Sequence, residues 1–174
     1  MPPDRDEWSR AYAKQSRSDF AIYRLLAAKG QVAACHPLHY LQMACEKIAK
    51  AYRFRDTATL DKRLTTEHVA FSQFIMSFLS SAAIKQRYRG RDEQLRQIRK
   101  TARALAREIE RLAPAVDPET SPSNAEYPWE QGGRVITPCE FDFSNLSLLR
   151  APGGRTLLRL IELAIVDFDE IRIH

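Results

Sequence analysis

Glycine is scarce in this chain: six residues in 174, beside nine prolines. That scarcity argues against a glycine-punctuated β fold and against a low-complexity, disordered chain. No apolar run approaches about 18 residues, so no membrane span is expected. The opening MPPDRDEWSR has no hydrophobic segment and does not read as a secretory signal. Cysteine is limited to Cys35, Cys45 and Cys139, an odd number without CxxC spacing. A reducing, cytoplasmic setting is the simplest inference from that pattern. There is no internal repeat.

What is present is 44% hydrophobic residues and long stretches of Ala, Leu, Arg, Glu and Lys. This composition suits one domain built mainly from helices. The net charge of +5 is uneven. Residues 85–111 carry ten basic and four acidic side chains, whereas residues 112–174 carry five basic and ten acidic. A concentrated cationic stripe can attract a polyanion, and a diffuse one only keeps a protein soluble.

Four amphipathic helices follow from the spacing of apolar residues. The first spans about Arg5 to Lys29, with Gly30 ending it. The second starts at Pro37, which suits a first turn because its missing N–H would be orphaned there. Its stripe is Leu38, Leu41, Cys45, Ile48 and Tyr52. A third follows Thr65 and Thr66, either a plausible N-cap, and carries Phe71, Phe74, Ile75, Phe78 and Leu79. The fourth repeats Leu95, Ile98, Ala102, Leu105, Ile109 and Leu112. Short connections between them predict an all-α, antiparallel, up-and-down four-helix bundle over residues 1–112.

Residues 113–153 are proline-rich and cannot form a long helix. The ETSPSN stretch reads as a mobile loop. EYPWE and VITPCEFDF are expected to lie extended across the bundle, anchored by Tyr127, Trp129, Phe141 and Phe143. Residues 154–174 hold a last helix, about Gly154 to Ile171, packed on the same domain through Leu157, Leu160, Ile161, Ala164 and Phe168.

The stretch CHPLHYLQMACEKIAKAY at 35–52 raises three chemistries. A zinc site from Cys35, His36, His39, Cys45 and His68 lacks a recognisable ligand spacing, and the residue before a proline is driven to extended backbone, which turns His36 away from His39. No metal and no cofactor are therefore expected. A cysteine nucleophile needs an activated thiolate, whereas Cys45 lies on the buried stripe; Cys35 is the better placed of the two. On the other face, His39, Met43, Glu46, Lys50 and Arg53 form one stripe, with Glu46 and Lys50 in the favourable i,i+4 order. It is either a solvated face, or a face on which His39, Lys50 and Arg53 meet an anion.

Arg96, Lys100, Arg103 and Arg107 make a second cationic stripe, opposite the apolar side of the fourth helix. Arg87, Arg89 and Arg91 precede it. With Tyr88 the one aromatic nearby, the stripe suits phosphate contact more than base stacking. Its alternatives are a solvated face or an acidic partner. Asp167 and Asp169 diverge on a helix and form no nucleotidyltransferase site. The pairs Gly132–Gly133 and Gly153–Gly154 are turns and not phosphate cradles.

QMACEKIAKA at 42–51 resembles the second-helix signature of HEPN domains. YAKQSRSDFAIYRLL resembles the family's first helix, with its acidic residue at Asp19. CHPLHYLQ resembles the loop and histidine before the signature, and TTEHVAFSQFI the start of the third helix. The likeness covers about residues 8–112. It implies a helical bundle that dimerises, binds nucleotides or RNA or cuts RNA without metal, and works in toxin–antitoxin or antiviral systems, with an antitoxin-type protein as a possible partner. The family's nucleases carry an arginine, four to six further residues and then a histidine near the start of the last core helix; Arg63 and His68, with four residues between them, have that spacing. Arginine neutralises phosphate and histidine exchanges protons near neutral pH. Their place between the second and third helices, with no histidine in RYRGRDEQLRQIRK, makes binding of RNA or nucleotide without robust catalysis the leading expectation. A ribonuclease using Arg63 and His68 is the alternative, and a non-catalytic dimeric interaction protein is the third.

Overall fold

The computed structural model describes residues 4–56, 71–116, 118–171 and 173, and the chain is mostly helical. Helix α1 is Arg5–Lys29. Asp4 caps it by accepting from the Glu7 N–H at 2.8 Å, while the Glu7 carboxylate accepts from the Asp4 N–H, a reciprocal capping box. Gly30 closes the helix at φ 64, a left-handed conformation that glycine adopts at no steric cost.

Helix α2, Cys35–Arg55, begins two residues before the expected Pro37. Pro37 still occupies the first turn, where its absent N–H leaves no bond unmade. The predicted stripe of Leu38, Leu41, Cys45, Ile48 and Tyr52 is buried throughout. α1 and α2 form an antiparallel hairpin closed by small residues. The hydroxyls of Ser9 and Ser16 donate to the carbonyls of Ala51 and Ala44, each at 2.8 Å, in descending order along α2. Both serines are fully buried, so both hydroxyls need these partners.

Helix α3, Phe71–Ser80, is followed after Ser81 by the short helix α4, Ala82–Arg87. Ser81 separates them: its extended backbone breaks α3 and its Oγ caps α4. Helix α5, Asp92–Glu110, packs against α3. The Glu110 carboxylate accepts from the Ser72 N–H at 2.7 Å and so ties α5 to α3. Arg99 donates to the Leu79 carbonyl at 3.0 Å and so serves the opposite end of α3.

The proline-rich segment is more structured than expected. The buried Asn124 side chain accepts from the Glu126 and Tyr127 N–H groups and donates to the Pro122 carbonyl, which fixes the turn at the end of ETSPSN. Strands β1, Trp129–Gln131, and β2, Arg134–Ile136, then pair as a hairpin with Trp129 opposite Ile136. Gly132 and Gly133 make its two-residue turn at φ 60 and φ 74. Two 3-10 segments follow, Pro138–Glu140 and Ser144–Arg150. Trp129, Phe141 and Phe143 meet edge to face with centroids 4.9 and 5.0 Å apart. Tyr127, expected as a fourth anchor, is 61% exposed.

Helix α6, Pro152–Val166, opens on a proline in its first turn, and Gly153 and Gly154, expected as a turn, lie inside it. It is shorter than predicted, ending in turns that still bury Phe168 and Ile171. Residues from α1, α2, α3, α5, the tail and α6 share one continuous apolar cluster, so the tail and last helix belong to the same core as the bundle.

Candidate functional site

The polar stripe of α2 turns inward against α1. Lys50 is 9% exposed; its Nζ donates to Glu46 Oε1 at 2.7 Å and lies 5.9 Å from the centre of the Tyr12 ring. Gln42 donates to the other Glu46 oxygen at 3.0 Å. One turn away, Lys47 Nζ donates to Asp19 Oδ2 at 2.5 Å, and Gln15 donates to Asp19 Oδ1 at 3.0 Å. The charged residues of EKIAK are thus consumed as two ionic pairs, because charges withdrawn from water need such partners. The stripe is not a solvated face. Arg53 is half-buried and engaged within the chain.

His39 lies elsewhere. Its Nδ1 stands 3.5 Å from Glu126 Oε1, in a cleft of about 550 Å³ between the start of α2 and the segments 125–128 and 137–139. A carboxylate facing the imidazole makes this a poor seat for an anion. His39, Lys50 and Arg53 therefore do not converge on one open surface. Cys35, His36 and His39 line the cleft together, but among the described residues no group of three or more potential ligands could hold a metal ion.

The cationic stripe of α5 has the opposite character. Arg96, Lys100, Arg103 and Arg107 are all exposed. Arg96 faces Glu93 one turn earlier. Lys100, Arg103 and Arg107 have no ion pair or hydrogen bond from their side chains among the described residues. At a rise of about 1.5 Å per residue the stripe is about 16 Å long. It exists because Leu95, Ala102, Leu105 and Ile109 take the other side of α5 into the core, and nothing described crosses the outer side. Arg87 and Arg91 are partly spent: the first lies 3.9 Å from Asp167, the second donates to the Arg87 carbonyl and stacks on Tyr88.

Arg63 and His68 lie outside the described residues. Sequence reading missed the pairing role of Lys47 and the bonds by which Arg99 and Glu110 tie α5 to α3. The available signal was the second charged row on α2, one residue from the first. No helix among the described residues is long and apolar enough to cross a membrane. Compared with known proteins, the chain matches no protein-family model, no curated protein and no solved structure.

Proposed function

We propose that this chain is a HEPN-like helical bundle that binds RNA or a nucleotide through the outer face of α5, without robust catalysis, as a homodimer in a toxin–antitoxin or defence setting. The observation that carries the reading is the row of exposed Lys100, Arg103 and Arg107, with no counter-charge of their own among the described residues. Unpaired surface cations are strongly hydrated and cost the fold little, yet they raise the local potential along one line. Each phosphate they neutralise releases condensed counterions, which drives association at low salt. The α2 cations support the bundle instead, since their charge is satisfied internally.

The test is titration of a labelled single-stranded RNA in EDTA, at about 50 mM salt, against wild type and variants. At that salt each cation removed is worth roughly tenfold in affinity. Arg103→Glu and Lys100→Glu should each weaken binding by at least that factor. Lys14→Glu, an equally exposed charge on α1, should change it by less than about twofold. An RNA affinity indifferent to Arg103→Glu would remove the basis of the proposal. Arg99→Glu is the wrong probe, because it also strips the C-terminal carbonyl of α3 of its donor.

A further inference from the structure

We propose that Cys35 and Cys139 form a reversible disulfide that fastens the 124–139 strap to the start of α2. The two cysteines are 104 positions apart in sequence. Yet both line the cleft that holds His36, His39 and Glu126, and the 3-10 turn Pro138–Glu140 that carries Cys139 packs directly on α2. A disulfide needs Cα atoms within about 7 Å, a range open to residues on two elements in direct contact.

The two thiols have complementary roles. Cys139 is exposed, whereas Cys35 is buried at 3% exposure. Burial pushes the Cys35 thiol up, and proximity to Cys139 pushes it further, against the opposing pull of the backbone N–H groups of His36 and Cys35. Cys35 therefore rests as a protonated thiol, and the first attack on an oxidant falls to Cys139. The oxidant class is a hydroperoxide. The Cys139 thiolate attacks one peroxide oxygen, the O–O bond breaks, and the leaving hydroxide departs as water, leaving a sulfenic acid. Cys35 Sγ, giving up its proton, then attacks the Cys139 sulfur. The S–O bond breaks, a second water leaves, and two electrons have passed from the thiols to the peroxide. An external thiol reverses the bond by exchange. Cys45, buried at 1% exposure inside the core, takes no part.

The experiment treats the full chain with hydrogen peroxide under native conditions, blocks remaining thiols after unfolding, and maps the peptides without reduction. The expected result is loss of two hydrogens per chain, a peptide linking Cys35 to Cys139, and Cys45 still fully alkylated. Closing a loop of about 100 residues should raise the melting temperature by at least about 5 °C, reversed by dithiothreitol. Cys139→Ser, a surface change, should abolish both effects. Cys35→Ser should leave a Cys139 sulfenic acid that dimedone traps. Oxidation that yields only dimers through Cys139, or over-oxidised Cys139 with Cys35 still a thiol, would overturn the proposal. The outcome is independent of RNA binding.

Discussion

Removing the Asp19 carboxylate isolates the contribution of the α1–α2 polar lock. Asp19 is 8% exposed at its side chain and accepts from Lys47 at 2.5 Å and Gln15 at 3.0 Å. In Asp19→Ala, the Lys47 ammonium loses its counter-charge while 18% exposed, and the Gln15 amide loses its acceptor. Breaking a buried pair from one side costs about 3–5 kcal/mol, because the stranded charge is left desolvated. Lys47 can stretch its stem towards water, which lowers the cost to about 2–3 kcal/mol. For a chain of this size that corresponds to a melting temperature about 5–10 °C lower. Urea unfolding followed by circular dichroism measures it, with an unchanged m-value confirming that the same transition is compared. The control is Asp6→Ala. That carboxylate pairs with Arg10 at 3.0 Å, but at 63% and 70% side-chain exposure, so its loss should cost under about 1 kcal/mol. In Asp19→Ala/Lys47→Met the uncompensated charge is gone, and part of the loss should return. If Asp19→Ala cost no more than Asp6→Ala, the lock would be an ordinary surface pair and the reasoning would fail.

Three further outcomes follow from the packing. A Cβ on Gly154 would sit 2.2 Å from the Leu148 carbonyl oxygen and 2.4 Å from the Leu149 Cα, both backbone atoms, so Gly154→Ala should destabilise by about 1–3 kcal/mol or more, read as a lower urea midpoint. Glu110→Ala should cost about 1–3 kcal/mol by removing the carboxylate that accepts from the Ser72 N–H, and should raise hydrogen exchange at Ser72 before that of α2. Stability should fall at alkaline pH. Burial holds the Cys45 thiol well above its ordinary range, with Glu110 adding to it, and burial likewise raises the Tyr52 hydroxyl, which donates to the Ala164 carbonyl. Groups raised on folding stabilise fully below their unfolded values and lose that contribution above them. The urea midpoint should therefore hold from pH 7 to 8 and drop above about pH 9, by up to about 1.4 kcal/mol per pH unit per group. Cys45→Ala should make the drop between pH 9 and 10 shallower; an equally steep drop would contradict the assignment.

Apolar spacing located the helices well where each has one greasy side. α1 ends at Gly30 as read, and Leu95, Ala102, Leu105 and Ile109 are buried as a single face. Lys50 was harder, because periodicity identifies the most apolar side of α2 and is silent on whether the polar side also meets a neighbour. α2 is covered on both, by the core and by α1, and its charges pair inside the interface. The hairpin at 129–136 carried a legible turn in Gly132–Gly133, but flanking strands of three residues are too short for an alternating pattern to register. Of the four expected anchors Trp129 is buried and Tyr127 is not, because Asn124, through its turn, fixes the chain direction that leaves Tyr127 outside. The α5 stripe lies opposite the apolar face, as its spacing predicts, and the lack of a partner for Lys100, Arg103 and Arg107 among the described residues is visible only in three dimensions.

The most direct measurement of the proposed anion surface is the salt dependence of single-stranded RNA binding. With three to four phosphates neutralised by Arg96, Lys100, Arg103 and Arg107, log K against log salt should fall with a slope of about −2 to −3. The variant carrying Lys100→Glu, Arg103→Glu and Arg107→Glu together should flatten that slope to near zero while its circular dichroism is unchanged. A folded triple variant that binds RNA with the wild-type slope would contradict the account.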